Sequence, residues 1–149
     1  MVAAERGSLR SRPVSSDRGD RPPPEELMAV QVGRRGSAVV VAVSGDVDVL
    51  TAPRLRDALD RGLAEAGAVG GPVVLDLTDV AFLASRGLST ILDAQREAGR
   101  ATPLRVVVDH ARPVVRPIQL SGLDAVLTLF DTVEDALDGG PEVDVRRER

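Results

Sequence analysis

Short apolar runs and stripes of helical period take turns along the chain from Leu27 to Leu137. Leu27-Met-Ala-Val-Gln-Val32 and Ala38-Val-Val-Val-Ala-Val43 read as two strands, and the glycines of Gly33-Arg-Arg-Gly36 between them suit a tight hairpin. Val39 to Val43 are apolar without interruption, which predicts a strand buried on both faces. Ser44-Gly-Asp-Val-Asp48 is expected to leave that strand as a loop. Thr51 then stands as a helix N-cap with Pro53 in the first turn. Leu55, Ala58, Leu59 and Leu63 follow as one apolar stripe, and Gly67 to Gly71 end the helix. Pro72-Val-Val-Leu-Asp-Leu77 is a further buried strand. The segment Val80-Ala-Phe-Leu-Ala-Ser-Arg-Gly-Leu88 joins its end to a second helix. Leu88, Ile91 and Leu92 of that helix are expected to face inward, with Phe82 in the core and Gly99 closing the helix. Leu104-Arg-Val-Val-Val108 is a fourth strand, and a third helix is expected over 112–121, opened by Pro113 and ended by Gly122. Pro117 falls inside it, where a proline costs about 3 kcal/mol through a lost hydrogen bond and a ring clash. That helix is therefore expected to start late or to kink. Ala125-Val-Leu-Thr-Leu129 is a short last strand, and Thr132 caps a final helix through Leu137.

The order is β-β-α-β-α-β-α-β-α. Strands alternating with helices imply an α/β fold, a parallel sheet with right-handed crossovers and one antiparallel hairpin. Residues 1–25 are rich in Arg, Ser, Pro, Gly and Asp, include Arg21-Pro-Pro-Pro-Glu25, and show no apolar period. They read as a disordered arm. One folded domain then spans 26–138, and 139–149 form a charged tail.

Composition narrows the chemistry. The chain has 149 residues and a net charge of −4, a balance that argues against direct nucleic-acid binding. No apolar run approaches the roughly 20 residues of a membrane span, and the N-terminal arginines precede no apolar stretch of a secretory signal. A cytoplasmic location is expected. There is no cysteine, which removes disulfides, thiolate nucleophiles and zinc–thiolate sites. Every basic residue is arginine, which removes phosphate-loop and Schiff-base lysines. The one histidine, His110, cannot build a multi-histidine metal site. Neither a metal nor a cofactor is expected.

Several motifs in order resemble those of STAS domains, the anti-sigma factor antagonists and their relatives. Ser44-Gly-Asp-Val-Asp48 with Thr51-Ala-Pro-Arg-Leu55 resembles the family's G-E-L-D…T-A-P-x-L segment. Leu75-Asp-Leu-Thr-Asp-Val-Ala-Phe82 resembles its D-L-S-x-V-x-F strand, and Leu83 to Leu88 falls on its D-S-S-G-L helix start. Leu120-Ser-Gly-Leu-Asp124 resembles its L-x-G-L-D element, and Thr132 to Leu137 its closing helix. The resemblance covers roughly Leu27 to Leu137. It implies a SpoIIAA-like mixed sheet of about five strands with about four helices, packed mainly on one side. It also implies a non-enzymatic regulator of transcription that binds a serine-kinase-type, ATPase-like anti-sigma factor, and whose binding is broken by phosphorylation of the serine before the helix glycine. An adaptor subunit of a stressosome-like or lipid-transport assembly is a second expectation. A small nucleotide-binding or hydrolase domain is a third, and it lacks a glycine-rich phosphate loop here.

The residues expected to bind the partner are Asp46, Asp48, Thr51, Ser85, Arg86 and Gly87. The acceptor position before Gly87 is Arg86, and the family's Asp two residues earlier is Ala84. Ser85 has two readings, a helix N-cap or a phosphorylation site. Arg86 has three: a solvated side chain, a contact for an acidic patch on a partner, or an internal pair with Asp46 or Asp48. Asp46 and Asp48 resemble the acidic pair of response-regulator receivers, but that reading needs a lysine at a later strand end and there is none. As a hydrolase pair they lie i, i+2 with no base or oxyanion motif, and turn caps are their structural alternative. A Ser85–His110–Asp triad would need a G-x-S-x-G elbow, which Leu83-Ala-Ser-Arg-Gly87 does not supply. Gly87 is expected to permit close approach of helix and strand. Nothing in the sequence sets an oligomeric state.

Overall fold

A computed structural model of the chain describes residues 27–99, 102–109, 111–112 and 114–139. The expected N-terminal arm, the tail beyond Gly139, His110 and Pro113 lie outside the described residues.

Five strands form one sheet in sequential order. β1 (Met28–Arg35) pairs antiparallel with β2 (Ala38–Val47), and β3 (Val73–Leu83), β4 (Leu104–Val107) and β5 (Thr128–Phe130) continue the sheet in parallel. The hairpin turn falls on Gly36 and Ser37, since Arg35 already pairs with Ala38. The helices are α1 (Ala52–Val69), α2 (Ser85–Glu97), α3 (Val115–Ser121) and α4 (Val133–Asp138). A 3-10 turn, Leu123–Ala125, lies between α3 and β5.

The period-two alternation decides which residues meet which helices. Val39, Val41, Val73, Leu75 and Val106 share a core with Leu55 and Leu59 of α1, Ile91 of α2 and Ile118 of α3. Val74, Val107 and Phe130 form a second cluster with Ala136 of α4. Registers such as Val39–Val73–Leu104 and Val40–Val74–Arg105 place these two sets on opposite faces. Three helices thus cover one face, and α4 covers part of the other.

Several boundaries differ from the sequence expectation. Ser44 to Val47 stays in β2, paired with β3, where the sequence suggests a loop. The pairing is irregular there: Ala42 faces Asp76 and Asp46 faces Phe82, so β3 has two surplus residues over that span, as β-bulges do. Those residues extend β3 six positions past Leu77. Gly45 has φ +89, and a Cβ on it would overlap the Leu27 carbonyl oxygen. α1 runs through Gly67 to Val69 and closes on Gly70 at φ 77. α2 ends on Ala98 in extended conformation, so Gly99 does not close it. The last strand starts at Thr128, because residues 123–125 turn before it.

Candidate partner-binding surface at the strand ends

Two connections meet at the carboxyl ends of β2 and β3. The Ala84 amide donates to the Val47 carbonyl at 2.8 Å, which ties the β3–α2 junction to the end of β2. Beyond Val47, the 46–51 turn is organised by Thr51, which is wholly buried. Its hydroxyl donates to the Asp46 carbonyl at 2.9 Å and accepts from the Asp48 amide at 2.9 Å. Thr51 stands at the N-cap position of α1, yet its side chain makes no cap bond to the helix. The Asp48 carboxylate accepts from the Leu50 amide at 2.9 Å and the Thr51 amide at 3.2 Å. This is an Asx-type turn, and it fixes the loop's shape. The Asp46 carboxyl is half-buried and lies beside Phe82 across the strand pair. Among the described residues it makes no hydrogen bond or ion pair.

At the start of α2 the N-cap position is Ala84, and no side chain caps the helix. Ser85 is therefore the first helical residue and not the N-cap that its type suggests. It is exposed, its hydroxyl makes no hydrogen bond among the described residues, and its carbonyl accepts from Ser89 Oγ at 3.1 Å. Arg86 is exposed and pairs with neither Asp46 nor Asp48. Gly87 is buried, and a Cβ there would come within 2.6 Å of Val47 Cγ1 and 2.7 Å of Leu83 Cδ1. Contacts that short would force Val47 and Leu83 to shift, so glycine lets α2 start this close to the sheet without displacing them.

A groove of about 380 Å³ separates the first turns of α1 and α2. Val49 and Pro53 line one side, Arg86 and Asp93 the other, with Arg56 between. Arg56 bonds Glu97 of α2 and lies 3.1 Å from Asp60 of α1, so it straps the two helices together. The Glu97 hydrogen bond raises the Arg56 guanidinium above its ordinary pKa, and the nearby Asp60 adds to it.

The sequence reading missed the apolar part of this surface. Val49 is 63% exposed, Leu50 48% and Phe82 53%. Phe82 is thus not in the core, against expectation. The β3 irregularity turns it outward while Leu83, beside it, stays buried. Val49 and Leu50 are a hydrophobic pair at a turn among acidic residues, and that contrast was the available signal. Among the described residues no group of three or more His, Cys, Asp or Glu is placed to hold a metal ion. No helix among them is long and apolar enough to cross a membrane.

The sequential mixed sheet, the clamped turn and the glycine-started helix define a small α/β module, and residues 29–136 match the STAS domain model. The chain belongs to the STAS domain family. It is 34% identical over 114 residues to the anti-sigma-F factor antagonist RsfB of Mycobacterium tuberculosis, covering 76% of this chain and 90% of that protein. The crystal structure of an anti-sigma factor antagonist from Mycobacterium paratuberculosis superposes with a TM-score of 0.67 at 34% identity, covering 75% of this chain and 92% of the other. Phosphorylated SpoIIAA of Bacillus shares the fold, with a TM-score of 0.54 at 24% identity over 74% of this chain and 97% of the other.

Proposed function

We propose that this chain is an anti-sigma factor antagonist: it binds an anti-sigma factor and so releases a sigma factor for transcription. The observation that carries the reading is the 34% identity to RsfB over 90% of that protein's length. The partner is a kinase-type anti-sigma factor with an ATPase fold, met in the cytoplasm, and the chain itself performs no chemistry. Asp46, Asp48, Thr51, Ser85, Arg86 and Gly87 form the contact region together with the exposed Val49, Leu50 and Phe82. Asp48, Thr51 and Gly87 act by shaping the two connections, and Ser85, Arg86 and the apolar residues meet the partner.

The family's phosphoserine switch does not operate at the position before Gly87, since an arginine there offers no hydroxyl. Calorimetric titration of the purified chain against purified kinase-type anti-sigma factors from the same genome tests the reading. The expected result is a stoichiometric complex that survives incubation with ATP and Mg²⁺ and that restores sigma-dependent transcription in vitro. Binding to none of them would refute it. Loss of the complex in ATP, with phosphate found on Ser85, would refute the constitutive part.

A further inference from the structure

We infer that the α1–α2 groove receives an acidic segment of the anti-sigma factor, with Arg86 as the residue that selects it. The inference rests on the antagonist reading above and adds the chemistry of what is bound.

Charge within the groove is graded. Arg56 is already satisfied by Glu97 and Asp60. Arg86 makes no ion pair or side-chain hydrogen bond among the described residues, and it is exposed at the groove's edge. Asp93 lines the same groove, two turns further along α2 and therefore about 10 Å away along the axis. Its nearest cation, Arg96, stands at 3.9 Å. One end of the groove therefore carries a cation unpaired among the described residues, and the other an anion partly offset by Arg96 and by the nearby Arg56. A carboxylate entering it is drawn to the Arg86 end and repelled from the Asp93 end.

The position of Arg86 supports the same conclusion. A cation in the first turn opposes the helix dipole, and no acidic residue in that turn offsets it. Among the described residues no acidic side chain pairs with Arg86 to compensate this placement, whereas a partner carboxylate would. Val49 and Pro53 face Arg86 across the groove, so the matching segment places an aliphatic side chain beside its acid. Complementary charge of this kind sets specificity and association rate more than total affinity.

The test uses the anti-sigma factor that binds the native chain in the titration above. Arg86→Glu should weaken binding at least about tenfold, and Arg86→Lys should stay within about threefold. Asp93→Asn, which removes the repelling charge, should bind as tightly as the native chain or more tightly. Affinity of the native complex should fall as NaCl rises, and Arg86→Ala should flatten that dependence. Arg61→Glu, an equal charge change on the exposed side of α1, should stay within about threefold. Thermal melts that match the native chain would establish that the variants fold. Arg86→Glu binding within threefold of native would overturn the inference while leaving the antagonist reading intact. A native chain that binds no anti-sigma factor would overturn both.

Discussion

Thr51 gives its one hydroxyl to the turn that precedes its helix. That hydroxyl donates to the part-buried Asp46 carbonyl and accepts from the part-buried Asp48 amide, and Thr51→Val would remove both bonds with little change of shape. The expected loss is about 1–3 kcal/mol, read from the urea midpoint, and affinity for the anti-sigma factor should fall with it. A midpoint equal to the native one would show that water replaces the hydroxyl. Gly87 presents the opposite case, in which what matters is an absent atom. Gly87→Ala should destabilise by about 1–3 kcal/mol through overpacking against Val47 and Leu83, even though alanine is the better helix former. A more stable Gly87→Ala would mean that α2 can shift without cost. At this scale the sequence was informative about residue types but not about roles. Thr51, Asp48 and Ser85 are all residues that cap helices, and spacing alone does not say which amide each side chain reaches. Gly87 was legible because a glycine early in a helix needs a packing reason.

Pro117 illustrates how an element's start resolves an apparent conflict. α3 begins at Val115, so Pro117 is its third residue, within the first turn, where backbone amides have no intrahelical partner. The expected late start is observed, and the proline costs nothing there. Pro117→Ala should therefore change stability by no more than about 0.5 kcal/mol. A gain near the ~3 kcal/mol of an interior proline in chemical denaturation would contradict this placement. All five strands and four helices were legible from apolar runs and stripes, because each long element buries one continuous face. The ends were less so. β2 and β3 run on through Ser44 to Val47 and Thr78 to Leu83, where Gly, Asp and Ser suggest a loop. Tertiary pairing overrides that local preference: each strand supplies the other's hydrogen-bond partners. The Ala125–Leu129 strand was placed too early because Ala125, Val126 and Leu127 are apolar, whereas the chain turns over Leu123–Ala125 after Gly122 at φ 81 and the strand starts at Thr128.

The molecule keeps its stabilising contacts and its proposed binding contacts in different places. The main core lies between the sheet and α1, α2 and α3, whereas the exposed Val49, Leu50 and Phe82 stand at the strand ends and belong to neither core cluster. Stability and affinity should separate accordingly. Phe82→Ser is expected to move the melting midpoint little, within about 0.5 kcal/mol for an exposed position, and to weaken the anti-sigma complex clearly in titration. Equal losses in both would mean that Phe82 supports the fold. A net charge of −4 adds to the contrast, because a cationic Arg86 on an acidic body gives an approaching acidic segment one favourable place to land.

The two surplus residues of β3 matter when chain length changes. Each reverses the facing of all that follows it in the strand, so together they preserve parity and reach further. Deleting Ala81 alone would leave an odd count, exchange the sides shown by Phe82 and Leu83, and start α2 out of phase with the sheet. That chain should melt well below the native one. Deleting Ala81 and Asp79 together restores parity, so more of the native melting temperature should return, while the shortened connection draws Arg86 back from the groove and binding stays weak. Single-residue gaps in this strand should accordingly be tolerated far less well than paired ones, and a calorimetric scan of the two deletions would show whether they are.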